Sequence, residues 1–293
     1  MNTLILKLGA TGDVVRTTPL LKHLSGEVSW VTAAKNVPLL AGLTPTLRSA
    51  AWEQRASFCD REYDLVINLE DTLDVARFLQ ELKFRKLFGA YAVNDALVYT
   101  DDSHGWFDLS LISRFGKATA DKLKLKNRRT YQDLIFSGLG LGFKGEKYLV
   151  PEPVATSLRG DVAIAPKAGH VWPMKNWAYY PELKAALERR GLTVNVLPER
   201  ASLLEHMGDV KNHRCLVSGD SLPMHFALAL GVPCVTLFTC TGPWEIFPYG
   251  IQRQITSPLL EEFFFQRGMD ERAIKAIPLD EVLAAVLEQL RQV

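Results

Sequence analysis

The chain has 293 residues, 47% of them apolar and 23% charged, with 34 basic against 33 acidic side chains. That length suits two domains of ordinary size, and the composition is that of a folded globular protein, neither disordered nor fibrous. A net charge of +1 supplies no general attraction for nucleic acid, which is therefore not an expected partner.

The four cysteines, Cys59, Cys215, Cys234 and Cys240, form no CxxC pair, and two of them fall in predicted strands as small apolar residues. The usage fits a reducing compartment. No signal-peptide pattern is visible at the start, and no stretch reaches the roughly eighteen apolar residues of a membrane span. The expected location is the cytoplasm.

In chain order, Leu4 to Leu8 reads as a buried strand, and Gly9-Ala10-Thr11-Gly12 as a tight turn. Helical periodicity resumes at Val14 and continues through Leu20, Leu21 and Leu24, with Pro19 interrupting its start. Asp13 stands between strand and helix. Beyond the carboxyl end of a parallel strand it would project into a ligand crevice, where a carboxylate can take a proton from an incoming hydroxyl. An aspartate before an apolar helix also serves as an N-cap, and both readings stand at this point.

Glu27 to Thr32 is the second predicted strand, followed by helical and loop material to about Arg61. Asp64 to Leu69 is a third, apolar enough to be covered on both faces. Glu70-Asp71-Thr72 is expected to cap a helix carrying Leu73, Ala76, Leu79 and Leu82 or Lys83 at helical spacing. Lys86 to Val93 is a fourth strand, and Asn94 to Trp106 reads as a long edge loop. The run Lys117 to Arg129 concentrates six basic side chains. It is either a solvated helix face or a surface for an anionic ligand or membrane. A helix over Tyr131 to Leu141 ends at Gly142, and Lys144 to Gly160, with Pro151 and Pro153, is the linker. The expected domains are 1–150 and 151–293.

The second half repeats the alternation. Strands are expected at Asp161 to Ala165, Leu192 to Leu197, Arg214 to Ser218 and Cys234 to Phe238. Helices are expected around Leu183 to Leu187, over Met224 to Leu230, and after Pro278. Two Rossmann-like domains facing each other across a cleft is the GT-B architecture, an α/β class. Gly219-Asp220-Ser221-Leu222-Pro223 joins a strand to a helix, and the free amides of a helix start attract anions such as a diphosphate. Asp220 or Ser221 is equally a cap. Lys175 is the candidate lysine for that anion and Lys167 the second. Glu199 is placed to bond a ribose, or is simply a surface acid next to Arg200.

Three ordered motifs carry a family resemblance: LGATGDVVRTTPLL at Leu8 to Leu21, KNW at Lys175 to Trp177, and VSGDSLPMHFALALGVPCVTLF at Val217 to Phe238, followed by PYG at Pro248 to Gly250. Together they resemble glycosyltransferase family 9, the lipopolysaccharide ADP-heptose heptosyltransferases. The resemblance implies an inverting transfer of heptose from ADP-heptose to a hydroxyl of a saccharide or glycolipid acceptor, without a catalytic metal or other cofactor. It implies Asp13 as general base, Lys175 as the diphosphate partner and Asp220, Ser221 and Leu222 as the donor loop. Gly9, Thr11 and Gly12 belong to the acceptor side or to the loop itself. His225 faces either the nucleotide or the core. The chain departs from the family at Leu222, where glycine is usual, and at Phe238 to Thr241, where FGPT is usual. No HExxH or paired-Cys spacing points to a metal, and GATGD lacks the GxGxxG spacing of a nicotinamide site. Competing readings are a transferase for another nucleotide sugar and an inactive sugar-nucleotide-binding relative.

Overall fold

Leu4, Ile5 and Leu6 have no solvent exposure, because the short apolar run they form sits in the middle of a sheet. The computed structural model describes residues 1–109, 115–169 and 171–291, and the chain divides into two compact units, Met1–Pro151 and Glu152–Val293. His170, in the loop expected over 166–176, lies outside the described residues.

The first unit runs β1 (Thr3–Leu6), α1 (Thr11–Thr17), β2 (Val28–Thr32), β3 (Leu47–Ala51), β4 (Glu62–Asn68), α2 (Leu73–Phe78), β5 (Lys83–Val93), β6 (Ala96–Tyr99), α3 (His104–Phe107), α4 (Lys117–Lys126) and α5 (Tyr131–Gly138). Its strand order is β3-β2-β1-β4-β5-β6, parallel throughout except for the antiparallel β5–β6 pair. Alternate residues feed two cores: Ile5, Trp30 and Ile67 pack on one side, and Leu4, Leu6, Val31 and Val66 on the other. The order reverses at β1, so the chain leaves β1 and β4 side by side. Ligands of open parallel sheets bind beyond the carboxyl ends of such strands.

The second unit runs β7 (Gly160–Ala165), α6 (Tyr180–Glu188), β8 (Val194–Val196), α7 (Leu203–Lys211), β9 (His213–Gly219), α8 (Leu222–Leu230), β10 (Cys234–Phe238), β11 (Gln252–Thr256), α9 (Leu260–Phe263), α10 (Glu271–Lys275) and α11 (Leu279–Arg291). The sheet is wholly parallel, in the order β11-β10-β9-β7-β8. Val162, Ile164, Cys215, Val217, Val235 and Leu237 form one face of it. Against them pack Leu183 and Leu187 of α6 and Val282, Val286 and Leu290 of α11. Here β7 and β9 are the adjacent pair at which the order reverses, and the loops after them share one edge.

Several elements differ from the sequence-based expectation. The stretch before Arg61 contains β3, an edge strand whose Leu47, Ser49, Ala50 and Ala51 are only half buried and whose Arg48 is exposed, so no apolar run marks it. The expected loop from Asn94 contains β6 instead. Asn94 and Asp95 both take positive φ, 49° and 60°, and close a two-residue hairpin in which Val93 pairs with Ala96. Lys83 opens β5 rather than ending a helix, α5 stops at Gly138, and α7 and β11 were not anticipated. Thr72 occupies the N-cap of α2 without a side-chain bond, and Glu70 turns elsewhere.

Candidate functional site

Each unit gathers polar side chains at the carboxyl ends of its central strands, and the two groups are built differently. In the first unit, Lys7 follows β1 directly and is 5% exposed. A buried ammonium must be paired, and Lys7 Nζ donates to Glu70 Oε1 at 2.9 Å. The same oxygen accepts from the Leu8 amide at 2.8 Å and the Gly9 amide at 3.4 Å. Glu70 comes two residues after β4, so the adjacency of β1 and β4 lets one carboxylate clamp the loop leaving β1. The expectation that it caps α2 is corrected accordingly.

Asp13 is the third residue of α1, and Ala10 holds the N-cap position; the Gly9–Ala10 peptide is cis. The N-cap reading of Asp13 is therefore replaced by a first-turn position, where a negative charge is favoured by the helix dipole. Its side chain is 29% exposed, with Oδ1 bonded to Arg16 at 2.9 and 3.0 Å and Oδ2 3.8 Å from Lys7 Nζ. The Arg16 guanidinium lies 3.9 Å above the ring of Tyr131 on α5. Thr17 Oγ1 donates to the Asp13 carbonyl at 2.7 Å and so takes its other 2.7 Å bond from the Tyr131 hydroxyl. Gln132 Nε2 donates to the Arg16 carbonyl, and α5 thus braces α1 along its length.

Burial works against the charge on Lys7, but Asp13, Tyr131 and Glu70 more than offset it and hold its pKa above that of a free lysine. Burial pushes the Tyr131 phenol up to about 12, so it stays protonated and able to donate. Around Thr11, Oγ1 donates to Asn36 Oδ1 at 2.8 Å, and Asn36 Nδ2 donates to the Leu8 carbonyl at 2.7 Å. Thr11 is thus engaged in holding the loop. Gly12 is the second residue of α1, and a side chain at Gly9 would meet nothing within 4 Å.

In the second unit, Lys175 ends a 3-10 turn after β7 and is 8% exposed. Its Nζ donates to the Asp220 carbonyl at 2.8 Å and to Asp220 Oδ2 at 2.9 Å. The neighbours in KNW explain the placement. Asn176 Oδ1 closes the loop by accepting from the Ala168 amide at 2.7 Å, and Trp177 is buried with Nε1 bonded to the Ile277 carbonyl at 3.0 Å. Gly219 ends β9 against the lysine's backbone, where an added Cβ would lie 2.9 Å from the Lys175 carbonyl oxygen. Ser221 is at the N-cap of α8 but bonds none of its amides, and its hydroxyl faces the Gly219 carbonyl at 3.4 Å. Leu222 is the first helical residue, half buried, and Pro223 the second. Helix α8 therefore begins with its first amides uncapped by a side chain, beside a lysine.

Not all candidates converge. Glu199 is 90% exposed and among the described residues meets only Lys167, itself 80% exposed, at 3.4 Å. Arg200 is not its partner but bonds Asp209 on α7 at 2.7 and 3.0 Å. His225 is 5% exposed on α8. The divergent loop after β10 is structural: Thr239 Oγ1 donates to the Met174 carbonyl at 2.6 Å, and Cys240 packs with Met174, Phe263 and Ala273. Of the basic run, Lys117 pairs with Asp121 and Arg129 with Asp133. Lys7, Glu70, Arg16 and Tyr131 were not anticipated. A lysine amid an apolar strand was the available signal, since such a charge requires a buried partner. Among the described residues, no group of three or more His, Cys, Asp and Glu side chains is gathered to hold a metal, and no helix is long and apolar enough to cross a membrane.

Residues 192–263, which include β9, α8 and β10, match the model of glycosyltransferase family 9 (heptosyltransferase). No curated protein sequence matches the chain. Among solved structures, the glycosyl transferase family 9 from Veillonella parvula aligns over 100% of this chain and 97% of its own, with a TM-score of 0.69 and 15% identity. The E. coli heptosyltransferase WaaC with ADP-2-deoxy-2-fluoro heptose aligns over 100% and 99%, at a TM-score of 0.60 and 16% identity. The E. coli ADP-heptose lps heptosyltransferase II aligns over 100% and 99%, at 0.63 and 17%. At such identities the structural likeness speaks for the fold, which is an α/β fold of GT-B type with two parallel-dominated sheets. The family match bears out the resemblance carried by the motifs.

Proposed function

We propose that this chain is an inverting glycosyltransferase that moves heptose from ADP-heptose to a hydroxyl of a saccharide or glycolipid acceptor, with Asp13 as general base. The observation that carries the reading is the position of Asp13: a part-exposed carboxylate beyond the carboxyl end of β1, in the first turn of α1. Arg16 and Lys7 flank it, at 2.9 and 3.8 Å. As the acceptor oxygen attacks the anomeric carbon, its proton passes to Asp13. The bond from that carbon to the diphosphate breaks, and the electron pair leaves with ADP. The Lys175 ammonium and the uncapped start of α8 are suited to receive the charge of the leaving diphosphate. No metal enters these steps. ADP-heptose as donor is supported by the family match and by a like-folded protein solved with an ADP-heptose analogue. A glycolipid acceptor would bring the basic run 117–129 to an anionic bilayer surface.

Asp13→Asn tests the reading. A positioned base is worth ~10²–10⁴-fold in rate. The variant is expected to lose transfer by that factor, to keep its affinity for ADP, and to change stability by about 1 kcal/mol or less, as part-exposed ion pairs do. Transfer at the wild-type rate would remove Asp13 from the chemistry.

A further inference from the structure

Loops following β7, β10 and β11 are locked together by a small core of their own. Met174, Cys240, Phe263 and Ala273 form it, and Trp172, Leu259 and Ile274 pack against it. The Phe265 amide donates to the Cys240 carbonyl at 2.9 Å, Phe265 itself takes a φ of 55°, and its ring meets the edge of Trp172 at 5.2 Å. Trp172 thereby becomes a fixed platform, and two cations lie on it. The Lys175 ammonium is 5.5 Å from the ring centroid and the Arg267 guanidinium 5.2 Å.

The charge balance separates these cations. Lys175 is matched by Asp220 at 2.9 Å, so that pair contributes no net positive charge. Arg267 has no such partner among the described residues, although acids surround it in sequence. Glu262 and Asp270 are both taken by Arg272, and Glu271 is taken by Lys275. A diphosphate carries more negative charge than the Lys175–Asp220 pair can neutralise. Arg267 is exposed and is held on the same ring as Lys175.

We propose that Arg267, held on Trp172, is a second cation of the Lys175 anion site and binds the diphosphate of a nucleoside diphosphate. The fork of a guanidinium suits a phosphate better than a second lysine would, and stacking on indole fixes its plane in advance. The inference rests on the donor reading above and adds to it a residue outside all three family motifs.

Calorimetry on the full chain with ADP, UDP, GDP and inorganic pyrophosphate tests it. Arg267→Gln is expected to weaken the diphosphate ligands by roughly 10- to 100-fold, the value of a hydrogen bond to a charged group. Arg267→Lys should recover part of the loss, and the wild-type affinity should fall with added salt more steeply than that of Arg267→Gln. Trp172→Phe, which keeps an aromatic platform, should lose less than Trp172→Ala. Because Arg267 is exposed, the Gln variant should melt with the wild type. Unchanged affinity of Arg267→Gln for both ADP and pyrophosphate overturns this inference alone. A wild type that binds UDP or GDP but not ADP, with the binding weakened by Arg267→Gln, sinks ADP-heptose as donor and leaves the inference standing. A wild type that binds none of the four ligands overturns both.

Discussion

Both units place a buried lysine against a carboxylate where a parallel sheet reverses its strand order, yet the two pairs are built for opposite tasks. Lys7 sits among two acids and a second cation, Arg16, and Glu70 also takes two backbone amides. That cluster is internally balanced, and what it leaves accessible is a carboxylate. Lys175 has one acid, Asp220, and the uncapped start of α8 beside it. Only with Arg267, held on the same Trp172 ring, does that cluster count two cations to one acid. The difference teaches that a lysine–carboxylate pair at a strand end is not by itself a ligand site. What decides its role is which charge remains after the neighbours are counted.

The comparison breaks first at Glu70, where the largest effect on stability is expected. Glu70→Ala leaves Lys7 buried, with its remaining acid 3.8 Å away, and leaves two loop amides without their acceptor. Removing one member of a buried pair costs ~3 kcal/mol or more. Urea denaturation should show a loss of that size, and Glu70→Gln, which can still accept from the amides, a smaller one. A Glu70→Ala protein as stable as the wild type would mean that the first cluster does not hold its loop.

Lys175→Ala sharpens the other side. Asp220 is 18% exposed, so losing its partner leaves a largely buried carboxylate and should cost stability as well, up to ~3 kcal/mol. Affinity for ADP should fall by roughly 10-fold or more, since a charge-assisted contact is lost. Calorimetry and a melting curve on the same variant separate the two. A large stability loss with unchanged ADP affinity would make Lys175 a structural residue like Lys7.

The smallest effect is expected at Leu222. As the first residue of α8 it offers a backbone amide whatever its side chain, so Leu222→Gly should change ADP affinity by less than about 3-fold and cost at most ~1 kcal/mol. A wild type without turnover beside a glycine variant with turnover would instead establish the natural protein as an inactive binding relative.

How far the molecule was legible follows from where its apolar runs lie. The central strands β1, β4, β7, β9 and β10 announce themselves because both faces are covered, as Leu4 to Leu6 and Val66 to Asn68 are. The edge strands β3 and β11 carry Arg48 and Arg253 and so lack that signal, and β6 was hidden behind an Asn-Asp turn. In the candidate sites, Asp13, Lys175 and Asp220 were marked by motif. Glu70 was not, because an acid after a strand reads locally as a helix cap. Its role comes from the β1–β4 adjacency, which spans more than sixty residues of sequence. Arg267 lies in no motif and acquires its neighbours only through the loops that hold Trp172.

Gly219 has the widest reach of any single position near the second cluster. It bears no charge and is buried, yet any side chain there would press on the Lys175 carbonyl at 2.9 Å. As a lineage drifts, this cluster can be disarmed by one neutral substitution that alters neither lysine, aspartate nor arginine. Intact charged residues therefore do not certify an intact Lys175–Asp220 cluster in a divergent copy of this chain, and the glycine at the end of β9 is the position to read first.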